Sequence, residues 1–435
     1  MYYPILTLPV EITTKIFLDC LPVGLPSYDT KSCTPLKDPP LLLTGICWHW
    51  RIIALSTPQL WSHVRLEFLG KHGVQAGHID SWWVAFLGRW LSRAQTQPLS
   101  MTISNLTHRD PDEALVGLLD SCRKQWQDVT LKLPFNLFSH FSTHEFLPVL
   151  QRLALDAHSI PPTPDISITA FQHAPALTHV RLDGWLRPCH FTLPWAQLTT
   201  LELASASPLD CAEALRCTPK LVTCILEILE APGTSLAPRS VPPMHHLRSL
   251  TLTGTAHCYI FPYLALPALE ELDLAGRSLN SSDLSSVQFL VSRSGCQLRR
   301  LRLYYISDAL TAPALQLLGM LPSLENFELA ATEAKTITSL FLRLGDASGF
   351  LPQLQTLSIS HHKMSDSHLH AMFHVVTDGL VRRAKSSPEH VQLCSFALMM
   401  QHEETPPRFR IRQRWQELLE GGMGLSVKNR YERWI

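Results

Sequence analysis

Five histidines crowd one stretch of the chain, His361, His362, His368, His370 and His374, and the last two stand at i and i+4. On a helix that spacing puts two imidazoles on one face, as a pair of zinc ligands requires. No Cys or carboxylate stands at an established ligand spacing from them, and the chain holds 21 histidines in all. The cluster therefore reads as coincidence, and no metal is expected. Arg408, Arg410, Arg412 and Arg414 alternate with Phe409 and Ile411 ahead of Trp415, a basic stripe of the kind nucleic acid favours. It reads instead as an exposed face leading into a terminal cap. Gly421-Gly422-x-Gly424 follows a helical pattern instead of opening one, which makes it a C-cap and turn. No phosphate-binding loop, Gly-x-Ser-x-Gly elbow or zinc-protease helix motif occurs. Neither a catalytic residue nor a cofactor is expected, so the chain reads as non-enzymatic.

Composition sets the class of molecule. With 435 residues, 46% of them hydrophobic, the chain can build a large core or an extended stacked one. Lys plus Arg and Asp plus Glu both number 37, so nothing draws the chain at long range toward nucleic acid or anionic lipid. No apolar run reaches the roughly eighteen residues of a membrane span. Glu11 and Lys15 arrive before any apolar stretch attains signal-peptide length. The 11 cysteines are accordingly expected as reduced thiols in a cytoplasmic or nuclear protein.

Near the N-terminus, Pro9 suits the first turn of a helix. Behind it Ile12, Ile16, Phe17, Cys20 and Leu21 recur at helical spacing, with Glu11, Thr13, Thr14, Lys15 and Asp19 between them. A loop rich in proline, residues 22–40, separates this helix from Leu41-Leu42-Leu43 and from a third segment, Cys47 to Ala54. Leu8, Ile12, Ile16, Phe17, Trp50 and Trp61 exceed what sixty residues can bury among themselves, so a partner is the expected sink.

These residues have a recognisable order. Leu8-Pro9-Val10-Glu11-Ile12, Ile16-Phe17, Leu21, Leu43 and Cys47-x-x-Trp50-Arg51-x-Ile53-Ala54 resemble the F-box motif along its whole length. The continuation Ser56-Thr57-Pro58-Gln59-Leu60-Trp61, with the insertion 22–40, is similar to the expanded F-box family of mushroom-forming fungi. The resemblance implies that residues 1–61 bind the Skp-type adaptor of an SCF ubiquitin ligase. By motif position, Leu8, Pro9, Ile12, Ile16, Leu21, Leu43 and Trp50 would carry that contact. Many relatives have a helical segment before the box, whereas this chain starts almost at the motif. A second reading makes the same residues the local core of a cap on the rest of the chain.

Beyond residue 61 the chain repeats itself. A Leu-x-x-Leu-x-Leu pattern recurs with its first position at Trp126, Leu150, Leu177, Leu198, Leu221, Leu247, Leu269, Leu298, Leu324 and Leu354, in steps of 24, 27, 21, 23, 26, 22, 29, 26 and 30 residues. Further strands are expected at 64–68, 99–103, 391–397 and 425–428, and helices at 367–383 and 412–420. Residues 62–435 thus resemble an irregular leucine-rich repeat solenoid with a C-terminal cap, giving an α/β fold with parallel strands on the concave face and helices on the convex one. The asparagine expected after the third leucine is missing, its places held by His158, Trp185, Ala206, Thr255, Arg277, Ile306, Thr332 and His362. A closed eight-stranded barrel would need fewer and longer units.

On such strands the residues flanking the middle leucine share the open face. Arg181, Glu202, Glu271, Asp273, Arg300, Arg302 and Glu328 are the charged members singled out there. Parallel strands lie about 4.8 Å apart, so Arg300 and Arg302 are in reach of Glu271, Asp273 and Glu328. Two readings stand: a self-neutralised ladder on a solvated sheet, or a polar patch that recognises a protein substrate of unknown identity.

Overall fold

The computed structural model describes residues 4–21, 27–29, 39–68, 81–105, 113–141, 146–157, 167–184, 186–229, 240–255, 259–276, 279–304, 306–346, 349–361, 366–384, 393–400, 407–431 and 433–435. The chain divides into two compact units, Met1–Ala204 and Ser205–Ile435.

The first unit opens with helices α1 (Val10–Asp19), α2 (Leu41–Ile46) and α3 (Trp48–Leu55), with a short strand β1 (Ser27–Asp29) between the first two. Strand β2 (His63–Phe68), helix α4 (Ser81–Ala94), β3 (Leu99–Asn105), α5 (Glu113–Ser121), β4 (Trp126–Lys132) and the single turn α6 (Phe135–Phe138) come next. Then come β5 (Arg152–Ala157), β6 (His179–Gly184) and β7 (Thr200–Ala206), which ends across the unit boundary. From β1 to β7 each strand pairs in parallel with the next.

The second unit runs α7 (Pro208–Cys217), β8 (Thr223–Ile228), β9 (Ser249–Gly254), β10 (Glu271–Gly276), α8 (Ser281–Ser294) and β11 (Arg300–Tyr304). It continues with α9 (Thr311–Gly319), β12 (Asn326–Thr332), α10 (Ala334–Leu344), β13 (Thr356–His361) and α11 (Asp366–Ala384). Strand β14 (Ser395–Met400), α12 (Phe409–Glu420) and β15 (Gly424–Lys428) complete it. Strands β8 to β15 again pair in parallel with their sequence neighbours. Neither unit closes on itself among the described residues, so a barrel is excluded and the repeats stack as a mixed α/β, solenoid-like array.

The repeat pattern explains the register. Trp126, Leu150, Leu177, Leu198, Leu221, Leu247, Leu269, Leu298, Leu324 and Leu354 are all completely buried. Each strand then alternates buried and half-exposed residues, as in β8 and β13, because successive side chains point to opposite sheet faces. The prolines before the strands have a specific place. The N–H groups of Leu177, Leu221, Leu269, Leu324 and Leu354 donate to the carbonyls of Ala174, Thr218, Leu266, Leu321 and Leu351 at 3.1–3.2 Å. Pro175, Pro219, Pro267, Pro322 and Pro352 therefore occupy the second position of a tight turn, where the fixed φ of proline is preorganised.

A helix in every unit was the expectation, and here the structure differs. The described connection between β6 and β7 holds only the 3-10 turns Pro188–His190 and Trp195–Gln197, and that between β9 and β10 only Phe261–Tyr263. Pro188, Pro194, Pro262 and Pro267 break these short spans before a helix can nucleate.

Candidate docking surfaces

Two kinds of surface could bind a partner, and each is built by a short stretch of sequence. In the N-terminal helices Pro9 precedes α1, and the Thr13 hydroxyl donates to its carbonyl at 3.1 Å. The Cys47 sulfur accepts the Trp50 N–H at 3.4 Å and caps α3. Thr13, Phe17, Leu43, Ile53, Ala54, Leu60 and Trp61 point inward and are buried. Phe17 meets Trp50 edge-to-face, with ring centroids 5.0 Å apart. Trp61 donates its indole N–H to the Ala54 carbonyl at 2.8 Å, packs edge-to-face on Trp90 of α4 at 4.9 Å and lies under the Arg93 guanidinium. The three helices and the first repeats therefore share one core across residue 61.

That packing corrects part of the sequence reading. Phe17 and Trp61 are not surplus apolar surface, because α3 and α4 cover them completely. Of the residues singled out for adaptor contact, Pro9, Ile12 and Ile16 are exposed, Leu8, Leu21 and Trp50 are half-buried, and Leu43 is buried. Leu43 belongs to the helical core, since it lies on the side of α2 that faces inward. The exposed set is instead completed by residues not anticipated: Ile5, Leu6, Val10, Leu42, Ile46, Trp48 and Ile52. Ile46 is 53% exposed and Trp48 76%. Three pairs at i and i+4, Ile12/Ile16, Leu42/Ile46 and Trp48/Ile52, give each helix an exposed apolar ridge, uncovered among the described residues. Helical spacing past the motif positions was the signal that would have found them. Of the insertion 22–40, only Ser27–Asp29, which pairs with Arg65 to Glu67 of β2, and residues 39–40 lie within the described residues.

The second surface is the polar face of the sheet. In the first unit Arg152 pairs with Asp128 at 3.2 Å, and Arg181 pairs with Asp183 at 3.0 Å and Glu202 at 3.3 Å. Between them lies a shallow cavity of about 320 Å³, lined by Asp128, Arg152, Ala154, His179, Arg181 and Glu202 among others. Burial, reinforced by Arg152, lowers the pKa of His179 and favours its neutral form. In the second unit the register sets Glu271 beside Arg300 and Asp273 beside Arg302, with Glu328 on the far side of Arg302. The contacts are 3.2 Å for Arg300–Glu271, 3.6 Å for Arg302–Asp273 and 3.0 Å for Arg302–Glu328. Burial raises the pKa of Asp273, an effect Arg302 opposes. Arg181 and Glu202 thus form one cluster, while Glu271, Asp273, Arg300, Arg302 and Glu328 form another. In both, every cation already faces a carboxylate.

No family model matches the chain, and no curated protein does. Among solved structures it is similar to a Bacteroides fragilis protein determined as a structural-genomics target, at 14% identity over 61% of this chain and 78% of that one, with a TM-score of 0.35.

Three of the five clustered histidines have described side chains. His361 is buried at the end of β13, and His370 and His374 lie on α11. His362 and the side chain of His368 lie outside the described residues, among which no group of three metal-ligating side chains occurs. Gly421 caps α12, and Gly422 comes next at φ +91° as a turn. No helix among the described residues is long and apolar enough to cross a membrane.

Proposed function

We propose that the N-terminal helices are an F-box that docks the Skp-type adaptor of an SCF ubiquitin ligase, and that the sheet face of the repeats holds the protein to be ubiquitinated. The observation that carries this reading is the uncovered apolar ridge on each of α1, α2 and α3. Contiguous exposed apolar surface of this kind marks an interface. The protein then does no chemistry itself; it raises the concentration of substrate near the transferred ubiquitin. The ridge residues would meet the adaptor, while Leu43 and Trp61 hold the helices in place from inside.

A scaffold that joins no ligase is the second reading. The burial of Trp61 against Trp90 favours it, because the helices then serve to close the first repeats. Co-expression of the full chain with a Skp-type adaptor separates the two. A stoichiometric complex is expected, weakened at least about 30-fold by Trp48→Ala or Ile16→Asp, since truncating an interface anchor costs about 2 kcal/mol or more. Failure of the wild-type chain to form any complex would overturn the ligase reading.

A further inference from the structure

Three arginines where α3 and α4 meet have no counter-charge. Arg51 is exposed on α3, and Arg89 is exposed on α4. Arg93 follows Arg89 by four residues, so their guanidiniums are neighbours on one face of that helix. Trp61 ties the two helices together. Its indole N–H donates to the carbonyl of Ala54, three residues after Arg51, and its ring lies 4.4 Å from the Arg93 guanidinium above it. The three cations thus gather around one buried tryptophan. Burial lowers the pKa of Arg93, and Arg51 and then Arg89 lower it further. No carboxylate opposes them there, and none of the three makes an ion pair among the described residues.

Other arginines of the first unit are matched: Arg65 by Glu67 at 2.6 Å, Arg123 by Asp120 at 3.1 Å, Arg152 by Asp128 at 3.2 Å and Arg181 by Asp183 at 3.0 Å. Like charges held close together repel, and a half-buried guanidinium has less water to offset that repulsion. Arg93 is kept in place by its contact with the Trp61 ring, and helical spacing keeps Arg89 beside it. An anion would turn this mutual repulsion into attraction, and the number of cations sets its kind. A carboxylate offsets one guanidinium, whereas a phosphate group near its full charge offsets two and offers three acceptor oxygens. We propose that Arg51, Arg89 and Arg93 form a binding site for a phosphate group, free or carried as a monoester. The inference does not depend on the ligase reading, since none of the three belongs to the apolar ridges.

Thermal melts of the purified full chain against inorganic phosphate provide the test, at pH 8 and at an ionic strength held constant with sodium chloride. Phosphoserine and acetate serve as parallel arms. Inorganic phosphate or phosphoserine should raise the melting temperature and saturate, whereas acetate should raise it far less. Of the two phosphate probes, the one that saturates at lower concentration identifies the source of the group. Arg51→Gln and Arg89→Gln, both at exposed positions, should each move half-saturation about tenfold higher, as loss of a charged hydrogen bond requires. Without phosphate the same variants should melt at or above the wild-type temperature, because each removes a like charge from beside Arg93. Arg216→Gln, exposed on α7 of the second unit, should leave the response to phosphate unchanged. Absence of stabilisation by both phosphate probes, equal stabilisation by acetate, an undiminished response in both variants, or variants that melt below the wild type without phosphate overturns the proposal.

Discussion

Arg123 shows how one buried cation is made tolerable. Its side chain is completely buried, pairs with Asp120 at 3.1 Å and donates to the Ala170 carbonyl. The rings of Trp126, Phe141 and Phe171 surround the guanidinium at 5.6–5.8 Å. Arg123→Ala should cost about 2–5 kcal/mol, since it empties a packed site and strips partners from buried acceptors. A urea titration reads this directly, and a loss under about 1 kcal/mol would mean the site collapses or hydrates. The neighbouring Cys122 offers a pH readout. Burial raises its thiol from an ordinary value of 9.0 to about 11. The folded chain thus keeps a proton that the unfolded chain releases first. Its contribution to stability is full below pH 9 and fades as pH rises from 9 toward 11. Cys122→Ala should flatten the stability profile across that window. An equally steep decline in the variant would show that other groups govern it.

At the scale of the element, strand ends are fixed by backbone contact. Gly254 closes β9 at φ +95°, and a Cβ there would stand 2.3 Å from the Ile228 carbonyl oxygen. Gly184 closes β6 in the same way, with a Cβ position 2.2 Å from the Ala157 oxygen. Each glycine pairs with the last residue of the preceding strand, so the clash lies inside the ladder itself. Gly254→Ala should destabilise by about 1–3 kcal/mol through strain at positive φ and displacement of the strand. Thermal melts would show a loss near zero only if β9 can fray at that end. On the helical side, Arg293 of α8 donates to the Phe261 and Pro262 carbonyls, and Arg383 of α11 donates to those of Phe350 and Leu351. A helix in one repeat thus satisfies the irregular turns of another segment, replacing with individual arginines what a regular asparagine ladder would supply.

For the whole molecule, charge and exposed apolar surface act together. Basic and acidic residues balance at 37 each, and the isoelectric point lies near 7.3, so long-range repulsion is weakest near neutral pH. Ile12, Ile16, Leu42, Ile46, Trp48 and Ile52 remain exposed on the N-terminal helices. The lone chain should therefore precipitate most readily near pH 7, and Ile16→Asp with Ile52→Asp should raise its solubility severalfold. Light scattering against pH checks this. If the variant aggregates like the wild type, the ridge is not the sticky surface.

The repeat was legible because burial imposes a period. A leucine that must fill the space between neighbouring strands recurs wherever a strand recurs, so the strands led by Trp126 to Leu354 could be placed from residue order alone. So could the register that sets Arg300 and Arg302 between acidic rungs, because parallel strands align like positions. The missing helices of the short proline-bearing repeats are dictated by the same sequence, but nucleation depends on the span left between turns. The sidedness of the first helices was not legible. Leu43 and Ile46 are equally apolar, and so are Trp48 and Trp61; only the tertiary structure decided that Leu43 and Trp61 are buried while Ile46 and Trp48 stay exposed. Periodicity reports that a face is apolar, whereas burial depends on what else packs against it.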